Sequence, residues 1–358
     1  SEIVDQSQSL FKDDNFFADI LSIAINNANK LHSECDFIIK KDQSYLPQYI
    51  MNYGELSQFT SNSDLFYSLI EKGFEKKVIN KNLDFDKYQQ RLSYEIEVLE
   101  KGNVIDYFLI LSDIICFCKS RGILTGIGRG SAAGSLVAYL LNIVEVDPIS
   151  YDLLFERFLN PTRLLKGVLP DIDQDVPSKH RGEIIEYIIN KYGEDNVVGI
   201  GTAQALKLKS LTKDLLKYGG ENFQDANKIS ILLPRDIEFG SSIELFRISN
   251  TSPFLKQKLN AHHEIIETVD LLLNQPRSFG KHAAGIVITA DRNSQGEKTP
   301  TNDLIPLRID QGINITEWEK DILEANGFLK LDLLGLSQLD KIMEISNLIK
   351  QNKDVIYF

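Results

Sequence analysis

The chain has 358 residues, which at roughly 150 per domain allows two or three domains. Hydrophobic residues at 43% and charged residues at 25% give the balance of an ordinary soluble globular protein. The net charge of −12 argues against a general nucleic-acid coat, since phosphate repels an acidic surface, yet leaves room for an enzyme whose carboxylates hold cations.

The longest apolar stretches, Tyr107–Cys118 and Leu136–Val144, fall short of the roughly 20 residues that span a bilayer, and the first contains Asp113. The opening Ser-Glu-Ile-Val-Asp-Gln has neither the basic nor the apolar region of a signal peptide. Membrane and secreted readings are excluded on these grounds, and a cytoplasmic chain is expected. Cys35, Cys116 and Cys118 form an odd set with no zinc or redox spacing, and are expected as reduced thiols filling helical core positions. The histidines make no zinc pattern, and no glycine loop is followed by Gly-Lys-Ser/Thr, which excludes a P-loop ATPase.

In chain order, residues up to about 80 read as helical, with a break at Tyr45-Leu-Pro-Gln-Tyr49. Two amphipathic helices follow, over 88–100 (Leu92, Ile96 and Leu99 on one face) and 104–120. A short strand, Gly122–Gly126, leads into Gly128-Arg-Gly-Ser131 and a helix of small and apolar residues to about Asn142. After a turn at Asp147-Pro148 and a helical stretch to Leu159 come a loop and a strand over 168–174. Ser178 is placed to cap a helix through Lys191, and the strand Asn196–Gly201 follows. From Thr202 to about Pro276 the pattern is helical without a strand. Strand character returns in Ala284–Thr289, Leu304–Arg308, Ile313–Trp318 and Phe328–Leu333, and a helix closes the chain from Ser337 to about Lys350. The expected class is α+β, with a mixed sheet interrupted by a helical insertion.

Three segments carry chemistry. In Leu169-Pro-Asp-Ile-Asp-Gln-Asp175, alternation along a strand projects Asp171 and Asp173, and by the same rule Asp175, from one face. Like charges so close repel unless cations lie between them, and Mg²⁺ is the natural hard ion; the alternative is an acidic, solvated strand end. In Gly126-Ile-Gly-Arg-Gly-Ser131, glycines before a helix let backbone N–H groups approach an anion, with Arg129 and Ser131 as further donors; a tight turn feeding a packed helix reads equally well. In Phe328-Leu-Lys-Leu-Asp-Leu-Leu-Gly335, Leu329, Leu331 and Leu333 face a core while Lys330 and Asp332 face away; taken alone that pair is a surface ion pair. Taken together, the three segments make a coherent two-metal phosphoryl-transfer site.

Gly128-Arg-Gly-Ser-Ala-Ala-Gly-Ser-Leu-Val-Ala-Tyr139, Asp152-Leu-Leu-Phe-Glu-Arg-Phe-Leu-Asn-Pro161, Pro170-Asp-Ile-Asp173, Gly280-Lys-His-Ala-Ala-Gly-Ile-Val287 and Lys330-Leu-Asp-Leu-Leu-Gly335 resemble the palm of bacterial C-family replicative DNA polymerases, the family of the DNA polymerase III α subunit. The resemblance runs in order from about Tyr45 to Lys350. It implies a nucleotidyltransferase-type palm like that of β-type polymerases, with a helical thumb insertion. The implied boundaries are a helical lead-in over 1–44, palm over 45–202 and 277–358, and thumb over 203–276. It implies Asp171, Asp173 and Asp332 as catalytic and metal-holding residues for two Mg²⁺ ions. Arg129, Gly130 and Ser131 are implied at the incoming triphosphate, with Arg163 and Lys330 as further basic contacts. Primer–template DNA and dNTP are the implied substrates.

Lys207, Lys209, Lys213 and Lys217 space themselves along one helix of the insertion, where they either track a phosphate backbone or form a solvated face. Arg277, Lys281 and His282 form a second basic cluster for DNA, although His282 reads equally as a satisfied core histidine. The family's N-terminal phosphoesterase-like domain and its fingers region are not found, so the expectation is a palm–thumb portion: an excised piece, a split polymerase or a compact viral variant. The Asn-, Ile- and Lys-rich wording fits an AT-rich genome, a phage among them. Two functions compete. One is a template-directed DNA polymerase; the other is a DNA-binding module that needs a fingers-containing chain or other replisome subunits to turn over. An untemplated nucleotidyltransferase leaves the 152–161 block unexplained, and no intrinsic exonuclease is expected.

Overall fold

At one end of the central sheet, three strands that are far apart in sequence lie side by side. The computed structural model describes residues 14–35, 45–164, 170, 172–233, 242–289, 300–310 and 312–351. Its six strands are β1 (Asp173–Pro177), β2 (Val197–Ala205), β3 (Pro276–Ile288), β4 (Leu307–Asp310), β5 (Ile313–Thr316) and β6 (Lys330–Leu336). They lie in the order β1-β6-β3-β2-β5-β4. The pairs β1–β6 and β2–β5 are parallel and the others antiparallel, so the sheet is mixed and the class is α+β.

Residues 1–43 separate from 44–358 as a compact unit of their own, in which helix α1 (Asp14–Glu34) is described. In the larger unit, helices α2 (Asn62–Lys77), α3 (Phe85–Lys101), α4 (Ile105–Ser120), α5 (Leu136–Leu140) and α6 (Arg181–Tyr192) share one core with one face of the sheet. Helix α4 is apolar nearly all round, and Phe108, Leu109, Ile110 and Leu111 are fully enclosed, as its unbroken apolar run requires. The carboxylate in its middle is neutralised: Asp113 accepts from the Tyr187 hydroxyl at 2.8 Å and Lys191 Nζ at 2.9 Å. Ile286, Ile288, Leu331 and Leu333 join this core, while Val198, Ile200 and Val287 point to a smaller one with Phe328 on the opposite face.

The insertion between β2 and β3 packs around a core of its own. Helices α7 (Leu208–Tyr218), α8 (Phe223–Leu232), α9 (Ser242–Ser249) and α10 (Pro253–Ala261) bury Leu208, Leu211, Leu216, Ile229, Leu245 and Leu255 together. It springs from the far end of the β2–β3 ribbon, where Leu206 and Asn274 close the neck through backbone hydrogen bonds.

Several expectations shift. β2 continues to Ala205, correcting the reading of residues from Thr202 as strand-free: Thr202–Ala205 pair with the largely exposed Pro276–Gly280, and a ribbon solvated on both faces carries no apolar alternation. Gly122–Gly126 is not a strand; the Gly126 N–H reaches Asp175 O in a single bond. Helix α6 is preceded by His180 without a side-chain cap, so Ser178 is not its cap. Among the cysteines only Cys118 is buried, with its thiol pushed up to about 12 by burial; Cys35 and Cys116 are exposed, correcting their placement in the core. The final helix, α11 (Ser337–Gln351), is as expected. No helix among the described residues is long and apolar enough to cross a membrane.

Candidate active site

The parallel pairing of β1 with β6 places Asp173 opposite Asp332 in register. Register partners leave the same face of a sheet, on strands about 4.8 Å apart, so two carboxylates are held side by side. The next strand completes the row with a glycine: Gly285 is the partner of Asp332 on β3, and a Cβ there would lie 3.4 Å from Asp332 Oδ1 and 2.8 Å from Ile200 Cδ1. A side chain at 285 would crowd the carboxylate.

Asp332 is buried. Its Oδ2 lies 2.5 Å from Lys330 Nζ, with only 6% and 8% of the Lys330 and Asp332 side chains exposed, correcting the surface reading of this pair. Burying two charges is tolerated when they are paired and otherwise satisfied. Here the second oxygen is not: Asp332 Oδ1 is enclosed without a hydrogen-bond partner. A carboxylate oxygen left without a partner, on the sheet face that Asp173 shares by register, is of the type that a hard cation takes as a ligand. Asp171 lies outside the described residues. Among those described, no three His, Cys, Asp or Glu side chains gather.

Asp175, two residues along β1, is held by Arg129, whose Nη1 lies 3.1 Å from its Oδ1. The loop carrying Arg129 approaches this strand closely at Gly126, where a Cβ would lie 2.7 Å from Asp175 Cβ. Gly130 and Ser131, both exposed, open a 3₁₀ turn, Gly130–Gly134, whose Ala132 and Gly134 are buried. The helix expected to open there does not: Ser135 is extended, and α5 starts only at Leu136. The amides of Leu136 and Val137 are already engaged by Glu95 of α3, at 2.9 and 3.0 Å, so the helix end is not free for an anion. Glu95 also accepts from the Ser135 hydroxyl at 2.9 Å and from Arg91 Nε at 2.6 Å. Arg91 in turn donates to the carbonyls of Gly134 and Leu153. This buried pair ties the glycine turn to the Asp152–Pro161 block. Burial raises the Glu95 carboxyl above its usual range, and the two amides and Arg91 pull it back.

Arg181, which the sequence reading missed, is the first residue of α6. Its Nε donates to Leu333 O at 2.8 Å and its Nη2 to Ala284 O at 3.0 Å, one carbonyl on each strand flanking the Gly285–Asp332 pair. Burial lowers its pKa and Asp332 counters that. A cation in the first turn opposes the helix dipole, and that was the available signal. Glu95 had one as well, since it continues the stripe Tyr88, Leu92, Leu99 on the buried face of α3.

The remaining candidates lie elsewhere. Arg163 falls in the one-turn helix Pro161–Leu164, its side chain outside the described residues. His282, half-buried, accepts at Nδ1 from the amides of Ala284 and Gly285 at 3.3 and 2.8 Å, bracing the bulge in β3. Lys281 is exposed near Arg181, and burial of its ammonium followed by that like charge lowers its pKa. Arg277 pairs with Asp214 at 3.0 Å. Of the insertion lysines, Lys209 donates to Leu233 O, Lys213 and Lys217 lie over the Phe223 ring at 5.2 and 4.9 Å, and Lys207 stands before α7.

The family described as Bacterial DNA polymerase III alpha NTPase domain matches residues 64–335, and the chain belongs to it. It is 38% identical to the DNA polymerase III subunit alpha of Ureaplasma parvum over 349 residues, covering 96% of this chain and 34% of that protein. The corresponding protein of Campylobacter jejuni is 35% identical over 95% of this chain and 29% of its own length. That of Bacillus subtilis is 33% identical over 93% and 28%. The chain thus spans about a third of the length of these relatives.

Proposed function

We propose that this chain is the palm and thumb of a template-directed DNA polymerase, adding deoxynucleotides to a primer 3′-hydroxyl. The observation that supports it most directly is the register pair Asp173–Asp332, with Asp332 Oδ1 enclosed and unpartnered. On this reading Asp173 and Asp332, with Asp171, hold Mg²⁺. Bound there, two such ions would supply Lewis acidity, lowering the pKa of an attacking hydroxyl and offsetting charge on the leaving pyrophosphate. Lys330 holds one oxygen of Asp332 and so restricts its carboxylate to a single free edge. The exposed Gly130–Ser131 turn offers backbone and hydroxyl donors to the triphosphate, with Arg129 released from Asp175 as a further contact and Arg163 beyond it. Arg91 and Glu95 keep that turn in place from behind. The insertion, with its own core at the end of a ribbon, acts as the thumb on primer–template DNA, and its lysines, together with Arg277 and Lys281, meet phosphate. A cytoplasmic replication protein is the setting.

The share of the relatives that the chain spans favours one alternative, a DNA-binding module that turns over only with further polymerase parts. Primer extension on a primed template, with Mg²⁺ and each dNTP offered singly, separates the two. Correct incorporation that vanishes in Asp332→Asn supports a self-contained polymerase. DNA binding without incorporation supports the module, and the loss of both readings follows if the chain neither extends nor binds a primed duplex.

A further inference from the structure

The β3–β6 ladder stops at the pair that matters. Its register partners are Val287–Lys330, Ile286–Leu331 and Gly285–Asp332. Beyond Gly285, β3 leaves the ladder through the bulge braced by His282, while β6 runs on beside β1. Leu333 and Ala284, the next residue on each strand, would there present carbonyls with no partner across the gap. Arg181 fills it. Its planar fork donates one N–H to each carbonyl, continuing the ladder by a side chain where the backbone gives out. The approach is close, since a Cβ at Gly335 would lie 3.4 Å from Arg181 Cδ.

We propose that Arg181 is a positioning residue for the aspartate site: by bridging Leu333 O and Ala284 O it sets the angle at which β6 carries Asp332 toward Asp173. The inference rests on reading those two aspartates as a cation site. A guanidinium suits the task because it spans two acceptors in a rigid plane, whereas a lysine ammonium reaches one at a time. The charge alone would act the other way, since a cation beside Asp332 opposes a second cation there.

The test is Mn²⁺ titration of the whole chain, with free ion followed by electron paramagnetic resonance, for the wild type, Arg181→Lys, Arg181→Met and Asp332→Asn. Both Arg181 variants should bind Mn²⁺ roughly tenfold or more weakly, the usual loss when a group orienting a metal ligand is removed. Tighter binding by Arg181→Met with unchanged binding by Arg181→Lys would make the residue a mere charge. Wild-type affinity in both, with only a lower unfolding midpoint, would make it a mere brace of the fold. Either result overturns the proposal while leaving the cation site intact. If the wild type binds no Mn²⁺, or binds it equally in Asp332→Asn, the cation site itself fails and this inference falls with it. Should Arg181→Met fail to fold, Arg181→Lys still decides between positioning and charge.

Discussion

Asp173 and Asp332 are register partners on adjacent parallel strands, and Asp332 is locked to a lysine, Lys330, at 2.5 Å. A cation placed between the two carboxylates would bind the folded chain and not the unfolded one. Mn²⁺ or Mg²⁺ at about a hundred times its dissociation constant should therefore stabilise the fold by about 2.7 kcal/mol. Thermal unfolding with and without the ion checks this, and the stabilisation should be lost in Asp173→Asn and in Asp332→Asn. The same variants should abolish incorporation by any active form of the enzyme.

Lys330 and Asp332 form a buried pair, and removing one partner strands the other. Lys330→Met should cost about 3–5 kcal/mol in urea unfolding without divalent cation. The double variant Lys330→Met/Asp332→Leu should recover much of that loss, since no charge is left enclosed. If Lys330→Met alone were neutral, the carboxylate would have to be reaching water.

Lys77 is buried on α2, with its ammonium against the carbonyl and ring of Tyr139 and its pKa pushed down to about 8, chiefly by burial. Between pH 8 and the ordinary lysine value, the unfolded chain holds a proton that the folded chain has lost. Stability therefore gains from rising pH across that window, and below pH 8 the buried charge counts against the fold. The difference in unfolding free energy between wild type and Lys77→Met should rise from pH 8 to 10 in favour of the wild type. A flat difference would show that the ammonium titrates as an exposed lysine does.

The insertion lysines divide. Lys207 and Lys217 are exposed, whereas Lys209 and Lys213 are partly covered, Lys209 donating to Leu233 O. If the insertion grips duplex phosphate, Lys207→Ala/Lys217→Ala should weaken duplex binding and flatten the salt dependence by roughly 0.9 in log–log slope for each phosphate no longer neutralised. The pair Lys209→Ala/Lys213→Ala should change the slope less. Fluorescence anisotropy over a series of salt concentrations measures both. Equal, unchanged slopes would mark the helix as a solvated face.

Much of this architecture is legible in the chain. The alternation of Leu329, Leu331 and Leu333 against Lys330 and Asp332 assigns the two faces of β6 correctly, because successive side chains leave opposite faces of a strand, but it does not show that the second face is buried as well. The long helical interval between two strands reads as an insertion, and it proves to carry its own core. Helices α3 and α4 come within a few residues of their expected spans for the same reason, an apolar stripe of helical period. The glycine-rich turn is recognisable, but not its outcome. The anion-binding argument needs free helix amides, and a glutamate on a different helix takes them.

Sequence by itself therefore determined the family, the α+β class, the faces of the strands and the residue types offered for chemistry, since these follow from local periodicity and from motifs along the chain. Tertiary structure alone decided that Asp173 stands beside Asp332, that Lys330 is buried, that Glu95 closes the end of α5 and that Arg181 continues a broken ladder. Each of these depends on how segments distant in sequence come together. Such partners are selected by how whole elements pack, so no local pattern encodes them.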